Sequence, residues 1–533
     1  MEMIKIASKQ VKVTEFVLVI LCSLMLATQS VKVAEANFLP VPVPQPSIVI
    51  QEDGSIIPST APMEQDDDVY KLMDNIEGFT IVIQRANVIV DGNGFTLKGN
   101  GNSTGVFVKN ISNVTLQNMQ ITGFSKAIYL LTDVYMEITG NHKVYSNNIT
   151  DSYYGIYIQH STKNVLRNNQ LNNTGGILVT YSPLLIDLPS FVNDVDDSNT
   201  VNEKPIVYWV NQHNKAVPPN AGQVILVQCT NIGVQNLKLT GNSCSLMLVY
   251  TKNSIIVKNS ITNNSVQGVY IYRSSDNTIT ENIIENNSYG CYLWYSSNNN
   301  IRENIVTANN QSGIQIFSST DNNMKANEIT LNNQGVYVDS QSVNNSILDN
   351  IIQENSEWGV TVSWSSNNTI SKNNIERNGN GILVDNSVNN RITENIVKEN
   401  IGWGIRLEDG QRNNVIYHNY FIDNNNHEMQ VSIPGLWTPD TWDPGNLNLW
   451  DDGKKGNYWS EYLSRYPNAT EIEDTGIGNT PYHINPNNID NHPIIEDNII
   501  PEFPSGTLVF IVAMITLGLC YKQRLKNIKN RLH

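Results

Sequence analysis

Apolar positions recur in a short, regular pattern through the middle of the chain. From Gly268 the sequence reads GVYIYRSSDNTITENIIENNSY, and similar segments follow at intervals of 22 to 24 residues, opened by Gly290, Gly313, Gly335, Gly359, Gly381 and Gly404. Ser245 and Gly222 extend the series backwards at 23 residues each, and looser copies start earlier, at Gly105, Ala127, Gly155 and Gly176. The first and third residues after the opening position are almost always apolar, and the second and fourth vary in polarity. This alternation predicts half-buried strands.

A single copy of this length cannot bury its apolar face alone, so the copies must stack, with each strand pairing to its equivalent about 4.8 Å away in the next coil. The predicted fold is therefore all-β, a right-handed parallel β-helix with about 22–23 residues per coil and about 13 coils. One Asn recurs at a constant phase, which predicts an inward ladder of amide hydrogen bonds at a turn, formed by Asn282, Asn304, Asn327, Asn350, Asn373, Asn395 and Asn419.

Breaks in the repeat divide the chain. We expect the β-helix over residues 65–430, with an insertion at 181–221 that leaves the rod as a loop or hairpin. Residues 37–64 contain PVPVPQP and are predicted to be an extended spacer. Residues 431–498 are rich in Trp, Pro, Gly and Asp, and we expect them to cap the rod, because an open last coil exposes apolar core and unpaired strand edge.

The two ends predict export and anchoring. Residues 1–36 hold three early lysines, the run FVLVILCSLMLA and a small-residue site at Ala34–Ala36, which together predict a cleaved signal peptide, with an uncut signal anchor as the alternative. Residues 499–521 contain an uncharged run before the basic tail 522–533, which predicts one transmembrane helix with the tail in the cytoplasm. The body is then expected on the extracellular face of the cell membrane.

Composition narrows the class of partner. The net charge is -16, with 34 Lys and Arg against 50 Asp and Glu, which argues against nucleic acid, because phosphates require clustered basic side chains. Three of the five cysteines lie in the body, so we expect no disulfide framework. A glycosylated surface protein is consistent with the N-x-S/T sites at Asn102, Asn110, Asn113, Asn148, Asn172, Asn263, Asn286, Asn310, Asn344, Asn367 and Asn468.

Outward positions of the repeat form files along the rod. The second-position file is Tyr270, Tyr292, Gln315, Tyr337, Thr361, Leu383 and Arg406, and the fourth-position file is Tyr272, Trp294, Phe317, Asp339, Ser363, Asp385 and Glu408. Aromatic rings suit stacking on sugar faces, and acids accept hydrogen bonds from sugar hydroxyls. The candidate carbohydrate-binding residues are Tyr270, Tyr272, Tyr292, Trp294, Phe317, Tyr337, Asp339, Asp385 and Glu408. Alternatively, the rings lie under the 181–221 insertion or only favour strand formation.

Catalytic residues are not assigned. Asp339 and Asp385 stand two coils apart, about 9.6 Å by strand spacing, near the upper end of the separation in an inverting glycosidase, but any acidic file on a β-helix gives this spacing. No cofactor is predicted. Copper has weak candidate ligands in His418, His427 and Met429. Calcium has Asp451, Asp452, Asp474 and Asp490, for which capping of turns is the alternative role.

The repeats, the insert NTVNEKPIVYW and the exit WDDG...GNYWSEY...DTGIGNTPY resemble the NosD-type β-helix proteins, also described as carbohydrate-binding and sugar-hydrolysis domains, as found in archaeal surface proteins. Pro501-Glu502-Phe503-Pro504 resembles a PEF-type C-terminal sorting signal. The resemblance implies a right-handed β-helix with either sugar association or an accessory role in supplying copper to a periplasmic reductase.

We therefore expect a cell-surface protein that binds polysaccharide or envelope glycan. A structural spacer without a ligand and a copper-accessory protein are the alternatives, and a polysaccharide hydrolase, lyase or epimerase is a further one.

Overall fold

The structure is a computed structural model that describes residues 46–133, 135–180, 188–408, 412–425, 430–432, 448–485 and 487–495. The predicted signal peptide, the anchor at 499–521, the basic tail and the PEF-like segment lie outside the described residues. Within these ranges, no helix is long and apolar enough to cross a membrane. The described chain is a right-handed β-helix of about 15 turns, which confirms the predicted fold class with two turns more than expected.

The N-terminal rod, residues 46–203, has three strand faces. Its long face contains Ile56–Ile57, Ser47–Ile50, Thr80–Ile83, Thr104–Lys109, Lys126–Leu131, Tyr154–Gln159 and Ile177–Thr180. The second face contains Met63–Asp66, Val69–Leu72, Ile89–Asp91, Thr115–Gln117, Lys143–Tyr145, Val165–Arg167 and Asp194–Val195. The third contains Ile76–Glu77, Thr96–Lys98, Gln120–Thr122, Asn148–Thr150, Gln170–Asn172 and Thr200–Val201, and Thr139–Gly140 pairs separately with Ser161–Thr162.

The C-terminal rod begins at residue 204 and also has three faces. Its long face contains Lys204–Val210, Gln223–Val227, Cys244–Val249, Gln267–Tyr272, Tyr289–Trp294, Ser312–Phe317, Gln334–Asp339, Trp358–Ser363, Asn380–Asp385, Ile405–Leu407 and Val431–Ser432. The second contains His213–Ala216, Thr230–Gln235, Ile255–Val257, Thr278–Thr280, Asn300–Arg302, Asn323–Lys325, Ser346–Leu348, Thr369–Ser371, Arg391–Thr393 and Val415–Tyr417. The third contains Lys238–Thr240, Ser260–Thr262, Ile283–Glu285, Ile305–Thr307, Glu328–Thr330, Ile351–Gln353, Asn374–Glu376, Ile396–Lys398, Tyr420–Ile422 and Tyr458–Trp459.

The segment predicted to leave the rod is instead the junction between the two rods. Asp194–Val195 and Thr200–Val201 complete the last N-terminal coil, and Lys204–Val210 starts the first C-terminal coil. Thr200–Val201 and Lys204–Val210 pair antiparallel, so the strand direction reverses here. The sequence repeat is interrupted here because one coil ends and the chain reverses direction. The apolar residues of these strands, such as Val201 and Ile206, nevertheless remain in the core. Residues 181–187 lie outside the described part.

Two further boundaries differ from the prediction. The rod begins at Ser47–Ile50, within the predicted spacer, because Ile48 and Ile50 are buried and their strand pairs parallel with the next coil. The sequence pattern predicted Gly222 as the first residue of one coil. The first residue is Gln223 instead, because the residue after it, Val224, pairs with Leu246, which directly follows the first residue of the next coil.

Close approach of the backbone explains the glycine that opens each later coil. A Cβ on Gly290 would lie 2.4 Å from the carbonyl oxygen of Gly313 in the next coil and 2.8 Å from a core methyl of Val306. Only glycine lets the chain cross the coil below at this distance. Inward residues on either side, such as Cys291 and Leu293, are fully buried.

The predicted amide ladder is present, and two parallel ladders accompany it. Each Asn of the predicted file donates from Nδ2 to Oδ1 of the Asn in the next coil at 2.9–3.0 Å, from Asn259 through the seven predicted residues to Asn457. The second ladder is Asn277, Asn299, Asn322, Asn345, Asn368, Asn390, Asn414 and Asn448. The third is Asn264, Asn287, Asn309, Asn332, Asn355, Asn378, Asn400 and Asn424, and it ends on Gln430.

Residues 448–495 cover the last coil. Trp459 stacks on Phe421 of the rod with ring centroids 4.7 Å apart, and Tyr482 stacks on Trp459 at 4.4 Å. The cap also contains the helix Tyr462–Arg465 and a hairpin of Tyr482–Asn485 with Asn488–Asp490. Its buried aromatic side chains continue the core of the C-terminal rod.

Candidate functional site

Strand register places both predicted outward files on the long face of the C-terminal rod. Tyr270, Tyr292, Gln315, Tyr337, Thr361, Leu383 and Arg406 occupy equivalent positions in successive coils. Tyr272, Trp294, Phe317 and Asp339 pair in the same way, as do Ser363 and Asp385, and Glu408 follows Leu407, which pairs with Val384. The sequence repeat thus fixes which side chains share this surface.

Tyr270 and Tyr272 do not belong to the accessible part of the surface. Their exposed fractions are 7% and 0%. Phe191, from the junction segment, lies against Tyr272 with ring centroids 5.8 Å apart. The expectation that these two rings face solvent is wrong, because the long face packs against the end of the N-terminal rod at this point, and the alternative of rings covered by the 181–221 segment holds for both.

The remaining rings do not form a flat platform. Tyr292 stacks on Trp294 with centroids 6.1 Å apart and an interplanar angle of 25°. Phe317 meets Trp294 edge to face at 5.6 Å. Since the rings stand on the strands and contact each other through their faces, they offer edges and rims to a ligand, with each ring half-buried.

Two exposed aromatic residues escaped the sequence analysis. Tyr295 and Trp364 follow the fourth-position file directly, at the turn that ends the long strand, and have exposed fractions of 42% and 50%. Both have positive φ values, of 51° and 48°, a conformation that is uncommon for bulky residues. Reading the fifth position of the repeat as a third outward file would have found them.

The acidic half of the surface contains linked polar groups. Tyr337 donates from its hydroxyl to Oδ2 of Asp339 at 3.1 Å, and Ser363 donates from Oγ to Oδ2 of Asp385 at 3.1 Å. Burial, with a further contribution from the charge of Asp385, raises the pKa of Asp339 above its ordinary value. Burial also raises the pKa of Tyr337, and the neighbouring Asp339 charge adds to the effect. These groups present both donors and acceptors at one place.

The coil between those of Asp339 and Asp385 carries short side chains at both outward positions. Thr361 lies in the file of Tyr337, Ser363 lies in the file of the two carboxyl groups, and the two residues are only 4% and 7% exposed. Among the residues that the structure describes, Thr361 Oγ1 is buried and makes no hydrogen bond. Buried polar groups in proteins are almost always paired, so this hydroxyl indicates a place for a buried water molecule.

Glu408 differs from the other two acids. Its carboxylate is paired with the guanidinium of Arg406 at 2.5 Å, and this guanidinium lies 4.6 Å from the ring centroid of Trp403. The pair uses much of the hydrogen-bonding capacity of Glu408. The structure therefore brings together Tyr337, Asp339 and Asp385 of the predicted set, with Glu408 at the margin.

The metal candidates do not assemble in the described part of the chain. His418 Nε2 lies 3.2 Å from Asp452 Oδ2, whereas His427 and Met429 are outside the described residues. In the cap, Asp451 Oδ1 contacts His492 Nδ1 at 3.0 Å, and buried Asp490 accepts hydrogen bonds from the backbone N–H of Asn457 and the indole of Trp459. Within the described ranges, no three metal-ligating side chains form a group suited to a metal ion.

Comparison with known proteins agrees with the fold. The family model described as periplasmic copper-binding protein (NosD) matches residues 198–357 and 332–464, and the model described as right handed beta helix region matches residues 50–187. No curated protein sequence matches the chain.

Several solved structures are similar at low identity. They include DFA-IIIase from Arthrobacter chlorophenolicus A6 in complex with DFA-III (11% identity, 52% of this chain and 84% of that chain, TM-score 0.31). The mannuronan C-5 epimerase AlgE4 A-module of Azotobacter vinelandii is 13% identical over 70% of this chain and 87% of that chain, with TM-score 0.29. The Dettilon tailspike protein (gp208) is 14% identical over 67% and 62%, with TM-score 0.28. At this identity the similarity says nothing about activity. From the two family models and the fold, the chain belongs to the NosD-type family of right-handed parallel β-helix proteins.

Proposed function

We propose that the protein binds a polysaccharide or envelope glycan on the long face of its C-terminal rod, around Asp339 and Asp385. The observation that carries this proposal is the grouping of these two half-buried carboxyl groups with the hydroxyl groups of Tyr337 and Ser363, which donate to them at 3.1 Å. Strand spacing separates the coils of the two carboxyl groups by about 9.6 Å.

The chemistry of the lining suits sugar hydroxyls. Asp339 and Asp385 accept hydrogen bonds, and the Tyr337 and Ser363 hydroxyl groups that bond to them can also accept a hydrogen bond from a ligand. Trp364, half exposed at the end of the long strand that contains Ser363, offers an aromatic ring. A ligand held in this way exchanges hydrogen bonds with water for hydrogen bonds with the protein, so moderate affinity and dependence on several sugar units are expected.

In this proposal the rod stands outside the cell. The expected signal peptide and C-terminal anchor place the body on the extracellular face of the membrane, where envelope glycans are within reach. The acidic character of the chain is compatible with a neutral glycan.

Retention of the full-length protein by polysaccharides tests the proposal. In affinity electrophoresis through gels that contain cellulose derivatives, xylan, mannan or soluble chitin, we expect retardation by at least one polymer. D339N and D385N, which replace a carboxylate by an amide, should each weaken that retardation at least threefold. D321N makes the same chemical change at an exposed turn and should leave it unchanged. Equal retardation of D385N and D321N, or retardation by none of the polymers, would contradict glycan binding here and would favour a spacer role.

Copper handling is the second candidate, because the matched family model is described as a periplasmic copper-binding protein. The residues that could support it are His418 in the last full coil and the undescribed His427 and Met429. Equilibrium dialysis of the full-length protein against Cu(I) and Cu(II) is the direct test. Uptake that disappears in H418A would support this function, and its absence would remove it.

A further inference from the structure

The long face of the N-terminal rod has an aromatic file of its own. Phe107, Tyr129 and Tyr157 occupy one outward position in successive coils. Their rings stack in a continuous series, with centroids 5.2 Å apart between the first two and 5.0 Å between the last two. Tyr154 stacks on Tyr157 at 5.2 Å. The rings contact each other through their faces. Tyr157 is only 5% exposed, and the hydroxyl groups of Tyr129 and Tyr157 are hydrogen-bonded to Gln159 and Thr180.

Lys126 lies within this aromatic file. Register places it between Thr104 and Tyr154 on the neighbouring strands. Its ammonium group lies 4.8 Å from the centroid of the Tyr129 ring and 5.4 Å from that of Tyr157. The side chain is half-buried, and burial lowers its pKa from the ordinary value. Cation–π contact offsets part of the cost of removing the charge from water.

No described carboxylate lies within 4 Å of the Lys126 ammonium, and the ammonium makes no hydrogen bond with the described residues. Lys109, on the preceding strand of the same face, is different, since its ammonium is 3.0 Å from Asp133. A half-buried ammonium has three N–H donors, and leaving them without an anionic partner is costly. The position of Lys126 therefore suits an anion supplied by a ligand.

Two of the five basic residues in 99–181 are already paired, since Lys109 contacts Asp133 and Arg167 contacts Asp194 and Asp196. Lys126 differs from both because no described carboxylate neutralises it. The chain as a whole has a net charge of -16 and repels a densely charged polymer, so isolated acidic groups on a mainly neutral chain fit better.

We propose that the long face of the N-terminal rod is a second glycan-binding surface, specific for sugars that carry a carboxylate, which the ammonium group of Lys126 binds beside the ring of Tyr129. The ligand class is a polysaccharide with spaced uronic acid residues. This surface is separate from the one at Asp339 and Asp385, so either proposal can fail without the other.

Affinity electrophoresis of the full-length protein with a matched pair of polymers tests the inference. The first probe is glucuronoxylan, and the second is the same polymer after reduction of its carboxyl groups to alcohols. We expect at least threefold stronger retardation by the acidic polymer. K126Q should remove this difference, K126R should keep most of it, and K109Q is the matched control on the same face that should keep it fully.

Three results would overturn the inference: equal retardation of the wild-type protein by both polymers, K126Q with unchanged preference for the acidic polymer, or K109Q with as large a loss as K126Q. Circular dichroism confirms that each variant keeps its strand content. D385N tested in the same gels separates the two surfaces, since it should leave the preference for the acidic polymer unchanged.

Discussion

Replacing one Asn of a ladder by leucine probes what the ladders contribute to stability. Asn327 donates from Nδ2 to the carbonyl of Ile301 at 2.8 Å and to Asn350 Oδ1 at 3.0 Å. Its own Oδ1 accepts from the backbone N–H and from Nδ2 of Asn304, both at 3.0 Å. Leucine branches at Cγ like asparagine and is somewhat larger, but it makes none of these bonds, so N327L removes four hydrogen bonds without opening a cavity.

The expected cost follows from the groups left behind. The Asn304 backbone N–H and the Ile301 carbonyl lose these partners inside a core from which water is excluded, and each buried unsatisfied group costs about 1–3 kcal/mol. Asn304 Nδ2 keeps its bonds to two carbonyls, at 2.8 and 3.0 Å, so its loss is smaller. The sum is roughly 3–5 kcal/mol, which corresponds to about 150-fold or more in a local opening equilibrium.

Hydrogen exchange read by mass spectrometry is the suitable measurement, because a stacked rod opens locally and a single unfolding midpoint would average over many coils. Peptides that cover residues 300–330 of N327L should exchange at least 100-fold faster than in the wild-type protein, and peptides from the N-terminal rod should not change. N310L is the matched control, since Asn310 is exposed and its side chain makes no hydrogen bond in the described structure. Equal exchange in N327L and N310L would refute the view that the ladders stabilise the coils.

Further predictions concern the glycine file and the cap. G290A should destabilise its coil by about 2 kcal/mol or more, because the new Cβ meets backbone at 2.4 Å, whereas G233A, with nothing closer than 3.9 Å, should be neutral in the same exchange measurement. W459A should cost about 3–5 kcal/mol in chemical unfolding of the cap, because it empties a buried ring site. Burial raises the pKa of Asp490 to about 7, so the folded state binds this proton more tightly than the unfolded chain does. Protonation of Asp490 therefore stabilises the folded state; the contribution is full below about pH 4 and is lost as the pH rises through 7. The free energy of unfolding of the wild-type protein relative to D490N should therefore fall between pH 5 and pH 8, and a rise would contradict the assignment.

The strand faces of the C-terminal rod follow from the sequence because the period of the repeat fixes their geometry. Alternation within a coil decides which residues point inward, and equal coil lengths place equivalent residues in register. The predicted Asn ladder and both outward files required nothing else. The same reasoning applied to Asn277 and Asn264 would have predicted the other two ladders, because both residues also recur in each coil.

Accessibility of the surface depends on contacts between coils far apart in sequence, and the repeat has no information on these. Tyr272 and Trp294 occupy equivalent positions in adjacent coils, yet one is completely buried and the other half-buried. The difference arises from Phe191, whose segment has no repeat and folds against only one end of the file. Ring orientation is likewise set by neighbours, so the stacked arrangement of Tyr292 and Trp294 required the structure.

The reversal of strand direction at residues 200–210 explains why the two rods present separate surfaces. In one uninterrupted helix, the aromatic file of Phe107, Tyr129 and Tyr157 would continue in register into the file of the C-terminal rod. The antiparallel pairing of Thr200–Val201 with Lys204–Val210 instead brings the first coils of the C-terminal long face against the end of the N-terminal rod, where Tyr208 donates its hydroxyl hydrogen bond to the Phe191 carbonyl at 2.6 Å. Rings at the junction are thereby used for packing, and the polar groups that remain accessible, Lys126 on one side and Asp339 with Asp385 on the other, differ in charge. Under the two glycan-binding proposals, surfaces of different charge on one chain would hold different sugars of one heterogeneous polymer at the same time, which raises avidity without a tight single site.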